Sequence, residues 1–192
     1  MSLRPRIYPI KSLDPIRRAM GSRDTSLMAP LVASFKQVRG DQPDAIEEFR
    51  ERAESFLGGE LREGQERGEW EYTIYFVAHA LGLLQGDLPI SDDWAWGAWA
   101  EYFDEVENRL PEDARELLRW LVFGRGLKVA GVDCPGAYYA WLSSDEIAHL
   151  LAALDALEAS DPDVADAVEG FHESLTDWLA KCSDQTCLLL AS

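Results

Sequence analysis

The chain has 192 residues, 47% of them hydrophobic and 28% charged, with a net charge of −17. That length closes one substantial core, and its apolar runs fall short of the roughly 20 residues a membrane span needs. The charge is uneven: residues 1–40 hold eight Lys/Arg against Asp14 and Asp24, so the rest is strongly acidic, repels phosphate backbones and excludes nucleic acid as an expected partner.

In chain order, "MSLRPRIYPI" lacks the apolar stretch and cleavage site of a secretory signal, and "RIYPI" (6–10) reads as an edge strand because Pro9 interrupts it. Leu13, Ile16 and Met20 share one side of a short helix that Gly21 closes. Ser22 or Asp24 caps the next helix, with its stripe Leu27, Leu31 and Phe35. "DQPDAIEEFRERAESFLGG" predicts a helix burying Ile46, Phe49, Ala53, Phe56 and Leu57 and ending at Gly58-Gly59. Residues 58–68, with four glycines, read as an exposed loop. Tyr72 to Leu84 is apolar on nearly every side, the pattern of a central buried helix.

"SDDWAWGAWAEYFDEV" follows, and the expectation is a helix capped by Ser91 with Asp92 and Asp93 in its first turn. Trp96, Trp99, Phe103, Val106 and Leu110 then form its core face, while Trp94 falls on the far side with Glu101 and Glu105. "PEDARELLRWLVFG" is another amphipathic helix, and "LKVAGVDCPGAYYAWL" reads as extended chain around a turn. Ser143 and Glu146 make a capping box for a helix striped by Ile147, Leu150, Leu151, Leu154 and Leu157. Asp161-Pro162 opens the last long helix, aligning Val164, Val168, Phe171, Leu175, Trp178 and Leu179; "TCLLLA" (186–191) is a terminal strand that can pair with the first. The fold class is therefore α+β: a mostly helical single domain over 1–192, with a small sheet that includes the N- and C-terminal strands.

No metalloprotease, nucleophile-elbow, P-loop, EF-hand or dinucleotide signature occurs. Cys134, Cys182 and Cys187 show no CxxC spacing, which suits a reducing cytoplasm; Cys182 and Cys187 meet only if the chain reverses between them. Two ExxH pairs, Glu146/His149 and Glu169/His172, match the spacing used by di-metal carboxylate bundles. His149 lies opposite its helix's apolar stripe, however, and Glu146 is accounted for by capping, so a solvated polar face is preferred and no metal or other cofactor is expected. His79, among Tyr72, Tyr75 and Phe76, is either a satisfied structural histidine or one that lines a pocket. Tyr138 and Tyr139 after Pro135-Gly136 point to alternate faces, one core and one exposed or groove-lining.

"YPIKSLDPIRRAMGSRD" resembles the N-terminal pattern of an uncharacterised family of small acidic bacterial α+β proteins, in which strand and short helix lead to Gly-Ser-x-Asp, here Gly21, Ser22 and Asp24. "HALGLLQGDLP" is similar to that family's middle stretch, and the segment from "DCPGAYYAWLSSDEI" onward also resembles the YfbM-like family of unknown function. The resemblance implies an α+β fold and no catalytic residues.

The favoured expectation is a non-catalytic cytoplasmic interaction protein, immunity-like in character, docking a basic protein partner through its acidic surface, with Trp94, Asp92, Asp93, Glu101 and Glu105 as candidate contacts. The alternative is a small-molecule binder or enzyme with a pocket near His79 and the 133–141 turn.

Overall fold

The computed structural model describes residues 4–60, 69–84, 90–91, 94–129, 132–134, 139–166, 168 and 170–191. Its helices and small sheet make it α+β. The chain divides into two compact units, each assembled from separated segments: Met1–Lys11, Leu88–Arg125 and Tyr138–Ser192 form one, Ser12–Asp87 and Gly126–Ala137 the other. Among the described residues no helix is long and apolar enough to cross a membrane.

The first unit is built on a three-stranded antiparallel sheet in the order β1 (Pro5–Ile10), β5 (Thr186–Ala191), β4 (Tyr139–Leu142). The two terminal strands pair as expected, with Pro5 opposite Ala191 and Ile10 opposite Thr186. Pro9 has no N–H to give a ladder, and β1 carries it without loss because it is an edge strand. Ile7, Ala140, Leu142, Cys187 and Leu189 bring one apolar face of this sheet into a core shared with four helices. These are α5 (Trp96–Val106), α6 (Glu112–Phe123), α7 (Ser144–Ser160) and α8 (Phe171–Lys181). Helix α7 starts with the expected capping box, the Ser143 hydroxyl accepting from Glu146 N–H while the Glu146 carboxylate accepts from Ser143 N–H.

Two expectations for this unit are corrected. Helix α5 begins at Trp96 rather than after Ser91. The Ser91 hydroxyl instead accepts the Ile7 N–H at 2.9 Å, and Ile90 N–H donates to Ile7 O at 2.9 Å, so residues 90–91 run beside β1 and the expected cap is engaged elsewhere. The last helix does not start at Asp161 either. Pro162–Asp166 forms a short 3-10 turn, Val168 has φ 145° and Gly170 φ 89°, and α8 starts only afterwards. Glycine adopts that left-handed backbone without steric cost, which breaks the helix yet leaves Val164, Phe171, Leu175, Trp178 and Leu179 buried on one core.

The second unit contains α1 (Asp14–Ala19), α2 (Met28–Arg39), α3 (Pro43–Gly58), α4 (Glu69–Ala80) and the hairpin of β2 (Leu127–Val129) with β3 (Val132–Cys134). Its centre is an aromatic cluster in which Phe35, Phe49 and Phe76 hold their ring centroids 4.5 to 5.2 Å apart. Helix α3 buries all five residues of its expected stripe. The Gly-Ser-x-Asp segment has a structural task here: Gly21 N–H donates to Phe56 O at 3.0 Å and Arg23 N–H to Leu57 O at 2.8 Å. Those carbonyls belong to the last turn of α3, where helical donors run out; Phe56 O also takes the Gly59 N–H at 3.2 Å. Asp24 then caps a 3-10 turn over Thr25–Leu27. Helix α4 buries Trp70, Thr73, Ile74, Phe76, Val77 and Ala78, but Tyr72, Tyr75 and His79 are only half-buried, so the helix is not enclosed on every side.

Candidate functional site

Shifting the start of α5 changes what the tryptophans do. Trp94 precedes the helix and sits on no helical face; its ring meets Phe171 edge-on at 5.3 Å and packs against the core. The expectation of a helical far face for Trp94 is therefore corrected: it is half-buried against the core, while Glu101 and Glu105 are exposed on α5. Trp99 is the deeply buried member, 5.1 Å from Phe171 and stacked on Trp178 at 5.8 Å. Trp96, expected in the core, is half-buried. Asp92 and Asp93 lie outside the described residues.

The same aromatic core holds a polar cluster. His172 is 2% exposed. Its Nδ1 is 2.5 Å from the Tyr102 hydroxyl, and its Nε2 has no hydrogen-bond partner among the described residues, Glu158 Oε2 standing 3.7 Å away. Burial pushes the Tyr102 phenol well above its ordinary value, with the Glu158 charge adding to the shift, so the hydroxyl keeps its proton and shares a hydrogen bond with Nδ1 whose direction follows the imidazole tautomer. Burial also lowers the His172 pKa, against the pull of Glu158 and Asp155, and keeps the ring neutral. A neutral, buried histidine bonded to a protonated tyrosine is a packing device; it offers neither a base to solvent nor a metal-ready pair.

The remaining ExxH residues do not converge on it. His149 is exposed and its Nε2 lies 2.9 Å from Asp113 Oδ2. Glu146 is taken up at the start of α7, and Glu169 lies outside the described residues. Among the described residues no group of three His, Cys, Asp or Glu side chains is placed to hold a metal ion.

Glu146 instead faces Arg125, a residue that motif reading passes over. Arg125 follows Gly124, whose φ of 91° ends α6, and its guanidinium forms a two-pronged pair with Glu146 at 2.8 and 2.9 Å. The same guanidinium lies between two indoles, 3.8 Å from the Trp120 ring centroid and 3.6 Å from that of Trp141. It also donates to Trp141 O at 3.1 Å. Burial alone would raise the Glu146 carboxyl, but the bonds from Arg125 and Ser143 outweigh it and hold it below the usual carboxylate range. Tyr139, a candidate contact, is buried in β4, whereas Tyr138 lies outside the described residues. Tyr139 thus serves the sheet and Trp141 the Arg125 clamp.

In the second unit His79 is half-buried, its Nδ1 is 2.8 Å from the Ser34 hydroxyl, and its ring leans on Tyr75 at 6.2 Å. A depression of about 560 Å³ opens between α2 and α3, lined by Arg23, Thr25, Met28, Glu54, Leu57 and Glu60. In the first unit one of about 650 Å³ runs along α5 and α6, with Phe103, Trp120 and Phe123 at its base and both acids and arginines on its rim.

The surface of the first unit is dominated by carboxylates. Residues 138–192 contain eleven Asp/Glu and a single lysine, Lys181. Asp145, Asp155, Asp163, Glu173 and Asp184 are all exposed. Lys181 is paired with Asp177, and Arg109 reaches Asp161 at 2.8 Å. Comparison with protein-family models, with curated proteins and with solved structures gives no match.

Proposed function

We propose that the protein is a non-catalytic cytoplasmic interaction module that docks a basic protein partner on the acidic surface of its first unit. The observation that supports this reading is the imbalance over residues 138–192: eleven carboxylates, many of them exposed, stand against one lysine. Exposed like charges repel one another and oppose compaction, and they become favourable when a surface of opposite sign covers them. The histidines bear on it from the other side. His172 is buried and His79 is bonded to Ser34, so both are accounted for by packing.

The test compares the native protein with a variant neutralised at Asp145, Asp155, Asp163, Glu173 and Asp184 (each Asp→Asn or Glu→Gln), both immobilised and exposed to host extract. The expected result is retention of a defined basic protein by the native chain at low salt, progressive loss as ionic strength rises, and weak retention by the variant. A partner bound equally by both, or one indifferent to salt, overturns the acidic-surface reading.

A further inference from the structure

The end of α8 and the start of β5 bring two thiols together. Cys182 closes α8, its N–H donating to Leu179 O at 3.0 Å, and the chain reverses through residues 183–185, where Gln185 N–H donates to Cys182 O at 2.9 Å. Thr186 then enters β5, the central strand of its sheet, and Cys187 is held in register opposite Pro9 on one side and Leu142 on the other. Both cysteines are fully buried in the same apolar core, both are free thiols, and their side chains share a hydrogen bond. A turn bonded at its base and a strand paired on both edges therefore fix the approach of the two sulfurs.

We infer that Cys182 and Cys187 form a redox-sensitive dithiol, which a hydroperoxide converts into an intrachain disulfide joining α8 to β5. Cys182 borders the exposed residues Ser183 and Asp184, whereas Cys187 lies inside the central strand, and the hydrogen bond from the Cys187 thiol favours the Cys182 thiolate, so Cys182 is the attacking sulfur. Its thiolate attacks the terminal oxygen of the hydroperoxide; the S–O bond forms as the O–O bond breaks, and the alcohol, or water, leaves with a proton. The Cys187 sulfur then attacks the Cys182 sulfenic acid, the S–S bond forms, and water leaves with the Cys187 proton. Two thiols and one hydroperoxide thus give one disulfide, one alcohol and one water, a two-electron oxidation. Ser183 and Asp184 in the connecting turn are exposed, so opening this turn alone admits a small oxidant.

The test treats the folded chain with a modest molar excess of hydrogen peroxide, then unfolds it and alkylates the remaining thiols. Trypsin cuts after Lys181 and leaves both cysteines on the peptide Cys182–Ser192. The expected peptide is unalkylated and lighter by two hydrogens, and dithiothreitol restores its double alkylation, while Cys134 is alkylated throughout. Cys134→Ser is expected to oxidise as the native chain does. Cys187→Ala is expected to give no disulfide and a dimedone-trapped sulfenic acid on Cys182. A peptide that stays doubly alkylated, a disulfide that includes Cys134, or loss of oxidation in Cys134→Ser overturns the inference; the last of these readings holds even where Cys187→Ala fails to fold.

Discussion

Arg125 is the side chain whose removal most directly tests how the first unit is held together. It joins three elements: it follows α6, stacks on Trp141 of β4 and pairs with Glu146 of α7. Removing one partner of a fully buried ion pair costs about 3–5 kcal/mol, because the other charge is left without compensation. Here the side chains of Arg125 and Glu146 keep 17% and 26% of their exposure, so solvent screens part of that loss. Stacking between two indoles adds back about 0.5–1 kcal/mol for each ring. Arg125→Ala is therefore expected to destabilise the protein by about 2–4 kcal/mol in urea unfolding. Arg125→Lys keeps the charge but loses the planar fork and the ring sandwich, and is expected to cost about 1–2 kcal/mol. A double-mutant cycle with Glu146→Gln isolates the pair from the capping role of Glu146, and a coupling of about 1–3 kcal/mol is expected. The pH dependence supplies an independent sign. The folded Glu146 carboxyl is depressed, so its contribution is complete above the ordinary glutamate value of about 4.3 and is lost as pH falls through the lower folded value. Arg125→Ala should flatten that acid limb. A lysine variant within about 0.5 kcal/mol of native, together with zero coupling in the cycle, would refute the clamp.

His172 gives a second titration of different origin. Burial lowers its pKa, so the unfolded chain binds the proton first, and stability should fall as pH drops from about 6.5 towards the depressed folded value. His172→Gln, which still offers Tyr102 an acceptor, should show a shallower slope in that window when urea midpoints are compared between neutral and mildly acidic pH; identical slopes would count against the buried neutral imidazole. The three tryptophans should separate by position. Trp99→Ala, emptying a site stacked on Trp178, is expected to cost about 3–5 kcal/mol. Trp94→Ala should cost about 1–3 kcal/mol through its contact with Phe171, and Trp96→Ala less, so urea unfolding that finds Trp94 as neutral as a surface site contradicts its placement.

The parts of the fold legible in the sequence are those whose cause is local. Ser143 and Glu146 are three residues apart and cap α7 whatever surrounds them, and the α3 stripe from Ile46 to Leu57 needs only helical spacing. The misread parts have their cause far along the chain. Ser91 is a good cap by chemistry, but its hydroxyl is claimed by Ile7, 84 residues away, and that one bond goes with a later start of α5 and with Trp94, rather than Trp96, packing on the core. His172 lies 70 residues from Tyr102, so its helix pattern alone marks it as a border position, while the tyrosine that justifies burying it belongs to another pattern. Arg125 carried a readable hint: a lone arginine just after a helix-ending glycine, with Trp120 one turn and a half before it. What could not be read is that Trp141 and Glu146 arrive on its other side, since that requires α6, β4 and α7 to be already packed. The charge imbalance behaves differently again. It is visible in composition and persists in the fold: Arg109 and Lys181 are engaged at Asp161 and Asp177, while Asp155, Glu173 and Asp184 remain open to solvent. Folding packs Trp94 on the core and leaves the carboxylates in place, so the proposed docking surface works chiefly by charge and is accordingly most sensitive to salt.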